Sequence, residues 1–228
     1  MDISVIFFLL LIPGFFILLW VLWGVVGRIS PFPFPYFMGK YLDSSYRRAI
    51  QPHDKLISRS GIKEGMSVLE AGCGSGAFTN YIALAVGNKG KVYALDIQYE
   101  MLDQLRKKLM RFENRDIKNI ELFNADLCNM PFEEDYFDVV CIVAVLQEIP
   151  EVNMALRDIK RVLKHGGILA VTEFALDPNY PLKSTTIKQC EDAGFIFDEI
   201  EGNFLNYTIR FIKPEFDFEK MGPSPNFV

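Results

Sequence analysis

Apolar residues follow two different spacings along this chain, one after the other. From Ile3 to Gly27 no charged side chain occurs, and the run from Ile-Ser-Val-Ile-Phe-Phe to Gly-Val-Val-Gly has no polar face. Wound as a helix it is about 37 Å long, enough to cross roughly 30 Å of hydrocarbon with some tilt. Next comes Pro31-Phe32-Pro33-Phe34-Pro35-Tyr36-Phe37, where alternating prolines forbid a regular helix and favour extended chain. From residue 67 onward the spacing becomes that of a folded domain. Strand-like runs are predicted at Ser67 to Ala71, Lys91 to Leu95, Ile120 to Phe123, Asp138 to Val143 and Gly167 to Phe174. Between them lie helical patterns: one running through Val86, one presenting Leu102, Leu105, Leu109 and Phe112, and one presenting Val152, Leu156, Ile159 and Leu163. The last of these is predicted to end at Gly166-Gly167.

Alternation of this kind implies βαβ units, a mostly parallel sheet and helices on both faces. The tail differs. After a helix around Ser184 to Ala193, Phe195 to Glu199 and Phe204 to Ile212 flank Glu201-Gly202-Asn203, a hairpin signal, so the sheet should close with an antiparallel strand. The expected organisation is an N-terminal transmembrane anchor over 1–28, a Pro/Phe-rich interfacial linker over 29–45 and one α/β domain over 46–228.

A secretory signal peptide would want a basic start, a shorter apolar core and small residues at a cleavage site. Here the start is Met1-Asp2, the run is long, and bulky Phe and Pro follow it. Pro13-Gly14 reads as a kink tolerated in lipid or as a re-entrant hairpin. Trp20 and Trp23 sit where amphipathic rings prefer the interface. Arg28, Lys40, Arg47 and Arg48 follow the span, whereas no basic residue precedes it. That bias implies a single pass, N-terminus outside and domain in the cytoplasm. The Pro-Phe segment should lie in the headgroup zone or pack on the domain.

A formal net charge of −5 argues against nucleic acid as a partner, because phosphate backbones require a basic face. Cys73, Cys128, Cys141 and Cys190 are scattered, with no C-x-x-C pair and only two histidines in the chain. Neither a disulfide framework nor a metal site is expected.

The first strand of the domain runs into Glu70-Ala71-Gly72-Cys73-Gly74-Ser75-Gly76. Such glycines permit a sharp strand-to-helix turn and close approach of a ligand to the backbone. Gly72, Gly74 and Ala77 also satisfy the dinucleotide pattern G-x-G-x-x-G/A, and Asp96 stands at the distance of a ribose-binding acid, so a nicotinamide or flavin enzyme is a rival reading. Three features favour another family. Glu70 completes E-x-G-x-G-x-G, Asn124-Ala125-Asp126-Leu127 ends the third strand, and the tail carries the hairpin. Together they resemble the class I S-adenosylmethionine-dependent methyltransferases, within them the group typified by the ubiquinone and menaquinone methyltransferases. Leu95-Asp96-Ile97 with Met101-Leu102 is similar to that family's second motif. Arg161 to Gly167 is similar to its R-V-L-K-P-G-G segment, with His165 in place of Pro.

The resemblance implies a Rossmann-like seven-stranded sheet and S-adenosylmethionine as cofactor. It implies that Gly72, Cys73, Gly74 and Gly76 offer backbone N–H groups to the methionyl part, with Glu70 orienting the loop. Asp96, with Ile97 and Met101 nearby, would hold the ribose, a task that uses both oxygens of a carboxylate. Asp126 and Leu127 would hold the adenine.

On the acceptor side the family's His pair before Ile-Pro is replaced by Gln147-Glu148-Ile149-Pro150, so no histidine is available there as a base. Gln147, Glu148, Glu173 and His53 are the candidates for meeting the acceptor. The expected activity is methylation of a lipid-embedded acceptor, a quinone-like ring or a phospholipid amine. The alternatives are a soluble small-molecule or protein acceptor, and an anchored cofactor-binding module without catalysis.

Overall fold

The structure is a computed structural model that describes residues 3–175 and 177–215, with side chains from Leu11 on, those of Ser45 and Tyr46 excepted. Met1-Asp2 and the end of the expected domain, 216–228, lie outside the described residues. The apolar run forms one helix, α1 (Ile3–Ile29), with Pro13 inside it, so the chain passes straight through Pro13-Gly14 and does not turn back. Short helices α2 (Gly39–Leu42), α3 (Ser45–Ile50) and α4 (His53–Arg59) follow. Ser44 caps α3 by accepting the Arg47 N–H at 3.2 Å, which satisfies one of the free donors of its first turn.

The domain then runs β1 (Ser67–Ala71), α5 (Thr79–Val86), β2 (Lys91–Asp96), α6 (Tyr99–Leu109), β3 (Ile120–Asn124), β4 (Phe137–Val143), α7 (Val152–Val162), β5 (Leu163–Phe174), α8 (Lys183–Asp192), β6 (Ile196–Gly202) and β7 (Asn206–Ile212). The sheet order is β3-β2-β1-β4-β5-β7-β6, parallel except that β7 runs antiparallel to both its neighbours. The Rossmann-like sheet and its C-terminal hairpin are therefore as expected. Strand residues alternate between two cores. Leu69, Val140 and Ile142 face Leu156 and Ile159 of α7; Val68, Val139 and Cys141 face Leu56 of α4 and Ile82 and Val86 of α5. Each such fully buried aliphatic side chain contributes about 1.5–3 kcal/mol. Because both faces are covered, the strands read as continuous apolar runs.

Three expectations fail locally. Phe112 is not on the α6 face: it sits in a separate 3₁₀ turn, 75% exposed. Leu163 leaves α7 and opens β5, pairing with Phe137, so Gly166-Gly167 lies inside the strand and does not end the helix. Tertiary bonds draw this segment out. Lys213 Nζ donates to the Leu163 carbonyl at 2.7 Å, the Gly166 N–H to the Lys213 carbonyl at 2.9 Å, and Lys164 Nζ to Asp138 Oδ1 at 2.6 Å. In the hairpin, Phe204 is at the turn and not in β7, because Asn203 Oδ1 accepts the N–H groups of both Leu205 and Asn206.

The last turns of α1 rest on the domain. Gly24 and Gly27 are buried against the turn at Pro178-Asn179; a Cβ on Gly24 would lie 2.5 Å from the Pro178 carbonyl oxygen. Small residues allow this close approach. The Pro-Phe segment then folds back over the carboxyl ends of the strands. The rest of α1 leaves Leu11, Phe15, Phe16, Leu18, Leu22 and Val26 exposed.

Candidate active site

A cavity of about 340 Å³ opens at the carboxyl ends of β1, β2 and β4, where the strand order reverses. It gathers Glu70, Gly72, Cys73, Gly74, Asp96, Ile97, Met101, Asp126, Leu127 and Glu148 from the expected set. Gly76, Gln147, Glu173 and His53 are not on its wall.

The glycine loop is built differently from the expectation. Gly72, Gly74 and Gly76 all have positive φ, at 75°, 55° and 79°. Their N–H groups are already bonded within the protein. Those of Gly72 and Cys73 reach the Leu95 carbonyl at 2.8 and 2.9 Å, Gly74 reaches Asp96 Oδ2 at 2.8 Å, and Gly76 reaches the Cys73 carbonyl at 3.0 Å. They are therefore not free donors for a ligand. What crowds the loop is protein: a Cβ on Gly72 would lie 2.7 Å from the Val145 methyls, and one on Gly74 would lie 3.1 Å from Leu42. Gly76 packs behind the loop against Leu105, its carbonyl accepting from Lys108 Nζ at 2.6 Å.

Asp96 is 7% exposed and fixed at both oxygens, since Oδ1 accepts the Gln98 N–H at 2.8 Å while Oδ2 takes that of Gly74. Each oxygen keeps a lone pair for a ligand hydroxyl. Burial raises its pKa, and the two N–H bonds oppose that rise. Glu70 is buried and bonded by Thr79 Oγ1 at 2.5 Å. Burial raises its pKa to about 7, so it anchors the start of α5 behind the loop. Asp126 is exposed at the rim and turns the chain by accepting the Cys128 N–H at 2.8 Å.

Among the acceptor-side candidates, Glu148 alone lines the cavity. Its Oε2 accepts the Phe34 N–H at 2.9 Å, and burial raises its pKa to about 8. Gln147 turns away to bond Gln189 of α8 at 3.2 Å. Glu173 is buried within β5, with Oε1 lacking a partner and its pKa pushed well up by burial. His53 stacks on Tyr81 at 3.5 Å beside a different cavity.

Several wall residues escaped sequence reasoning. Arg47, read as a membrane-flanking charge, is buried in the wall over the rings of Phe78 and Phe174, at 5.6 and 5.1 Å. Its Nε donates to Gln51 Oε1 at 3.1 Å, and it forms no ion pair among the described residues. Trp23, Pro33, Phe34, Tyr41 and Leu42 close the cavity from the N-terminal side, and Asp177 faces it from beyond β5. Gln98 Nε2 ties the flap down by donating to the Phe34 carbonyl at 2.7 Å, as Gln104 Nε2 does to that of Tyr36 at 2.8 Å. Of the two places offered to the Pro-Phe segment, the structure takes the domain surface. Ala144 lies in the left-handed region at φ 55°, just where β4 enters the cavity. A doublet such as Arg47-Arg48 carries no local signal that one member turns inward.

The residues present suit S-adenosylmethionine. The cavity holds one cation, Arg47, which matches a carboxylate. Glu148, Asp177 and Asp96 match a sulfonium and a ribose, while Met101 and Leu127 offer apolar sides for a base. Sheet order, loop and acid at the end of β2 are those of the Rossmann-like fold of S-adenosylmethionine-dependent methyltransferases. Residues 69–171 match the methyltransferase domain family. The chain is 32% identical over 143 residues to a demethylmenaquinone methyltransferase of Staphylococcus saprophyticus, covering 63% of this chain and 57% of that protein. It is 39% identical over 125 residues to the ubiquinone/menaquinone biosynthesis C-methyltransferase UbiE of Vibrio campbellii, covering 54% and 48%. The chain thus spans about half the length of these relatives. Among solved structures, a SAM-dependent methyltransferase from Aquifex aeolicus superposes with TM-score 0.72 at 26% identity, over 78% of this chain and 98% of that one.

Proposed function

We propose that this chain methylates a quinone-like ring that reaches the cavity from a membrane. The observation that carries this reading is that the end of the apolar helix and the Pro-Phe segment wall the same cavity as Asp96. Trp23, Phe34, Tyr41, Phe78 and Phe174 line it with aromatic side chains, which suit a flat aromatic acceptor. The exposed apolar length of α1 would be costly in water, and a bilayer covers it. The relatives named for menaquinone and ubiquinone methylation support the same chemistry.

When bound, S-adenosylmethionine supplies a methyl carbon made electrophilic by its positively charged sulfur, which leaves with the electron pair of the broken bond. Arg47 would hold its carboxylate and Asp96 its ribose. The acceptor carbon that gains the methyl loses a proton, and Glu148 is the group placed to take it. α1 crosses the membrane once, with the domain on the cytoplasmic side where Arg28, Lys40 and Arg48 lie. The test incubates full-length protein with methyl-labelled cofactor and total membrane lipid, then identifies the labelled species by mass spectrometry. Label on a quinone ring supports the reading; label confined to a soluble molecule or to protein, or none at all, overturns it.

A further inference from the structure

A second cavity of about 320 Å³ lies on the other side of Leu42, Arg47, Ala77 and Phe78, which it shares as a wall with the first. Nothing in methyl transfer uses it. Its outer wall is basic: Arg48, Lys108 and Arg111 join Arg47, against Asp43 and Glu113. Lys108 is neutralised by Asp43 at 2.6 Å, Arg111 stands 4.0 Å from Glu113 and Arg47 belongs also to the first cavity, so it is Arg48 whose charge has no ion-pair partner among the described residues.

Two buried polar atoms in the wall have no partner. Gln51 is 1% exposed. Its Oε1 is taken by Arg47, which fixes the amide and leaves Nε2 a buried donor without an acceptor. Asn80 gives its Nδ2 to Asn114 Oδ1 at 2.7 Å, leaving its own Oδ1 a buried acceptor without a donor. Orphaned buried groups of this kind are rare, and a ligand that supplies the missing partners removes their cost.

We propose that this cavity binds a phosphate ester carrying a hydroxyl group. Phosphate oxygens meet Arg48 and the Gln51 donor, and the hydroxyl hydrogen meets Asn80 Oδ1. Glycerol phosphate has both parts, whether free or as the headgroup of an anionic lipid. The inference does not rest on the methyltransferase reading, since Arg48, Gln51 and Asn80 line the second cavity and not the first.

His53 reports on the site. It lies in the wall, its pKa is lowered by burial and then by Arg48 and Lys108, and an anion between those cations would reverse their effect. The chain's other histidine, His165, bonds the Pro214 carbonyl at 2.8 Å elsewhere and serves as an internal control. Full-length protein in neutral detergent micelles would be titrated by histidine-selective NMR, with glycerol 3-phosphate or with sodium chloride at equal ionic strength. A third arm uses vesicles of phosphatidylcholine with and without phosphatidylglycerol. The His53 pKa should rise by about one pH unit while the His165 signal does not respond to the ligand. In the Arg48→Gln/Arg111→Gln variant, which changes two exposed side chains, binding should weaken about tenfold or more. A response to glycerol 3-phosphate assigns a free ligand, and one to phosphatidylglycerol vesicles alone assigns a headgroup; both uphold the site. No response in any arm, an equal response to chloride, or an unchanged variant overturns it. So does loss of the response when S-adenosylmethionine is added, which would make this cavity part of the first.

Discussion

Asp96 owes its place to two backbone N–H groups, one from its own turn and one from the glycine loop, so its carboxylate is set before any ligand arrives. Asp96→Ala removes the ribose acceptors and also the tie to Gly74. Cofactor affinity should fall about ten- to hundredfold by calorimetry; unchanged affinity would remove Asp96 from the site. Glu148 poses a different question, because a carboxyl with a pKa near 8 is mostly protonated at neutral pH. If it takes the acceptor's proton, only its ionised form works, and kcat should rise with pH through about 8. Glu148→Gln keeps an acceptor for the Phe34 N–H, so the flap stays closed, yet kcat should drop at least about a hundredfold and lose that pH rise. A parallel profile in the variant would assign the proton transfer elsewhere. At this scale the sequence was legible for glycines and acids near a motif, since type and spacing carry their roles. It was not legible for Arg47, Asp177 or Ala144. These reach the cavity only through tertiary placement, and their neighbours in the chain carry no mark of it.

The elements most visible beforehand were those with strong periodicity on one face: β1 to β4, α5, and α7 up to Val162. Two of the failures have causes of different range. Lys213 and Asp138 offer the segment at Leu163 tertiary partners, whereas at Phe204 the side chain of Asn203 holds the turn locally. The largest difference concerns the Pro-Phe segment. Extended prolines without backbone donors leave the segment unable to join the sheet, and its aromatic rings seek cover instead. Trp23 and the cavity provide that cover, with ring centroids 5.3 Å apart for Trp23 and Phe32. The segment is thus a wall of the site as well as a tether. Two truncations separate these roles. A chain beginning at Ser30 keeps Phe34 with its bonds to Gln98 and Glu148, and should hold cofactor nearly as the full chain does. One beginning at Gly39 loses them and should bind about tenfold more weakly. Equal affinity of the two in calorimetry would show that the segment only connects.

Taken as a whole, the molecule concentrates buried acids around one cavity, and this has a consequence for stability. Burial is the leading cause of the raised pKa at Glu70, Asp96, Glu148, Glu173 and Asp177, with Glu70 at about 7 and Glu148 at about 8. In the unfolded chain these groups titrate near their ordinary values, about 4. Between roughly pH 4.5 and 8 the folded protein therefore binds more protons than the unfolded one. Stability must then fall as pH rises through this window, with the full contribution present at its acid end. His53 works the other way. Its lowered pKa means that stability is lost as pH drops below its unfolded value near 6.5, but it is one group against five. Without cofactor the melting temperature should accordingly be highest at the acid end of this window, near pH 5, and roughly 5–10 °C lower at pH 9. Glu173 is the sharpest test, being buried within β5 with one oxygen unpartnered. Glu173→Gln cannot ionise, so it should flatten the alkaline fall while changing the melting temperature at pH 6 little. A melting temperature that climbs from pH 6 to 9 would mean that these carboxylates are ionised and paired in the folded state.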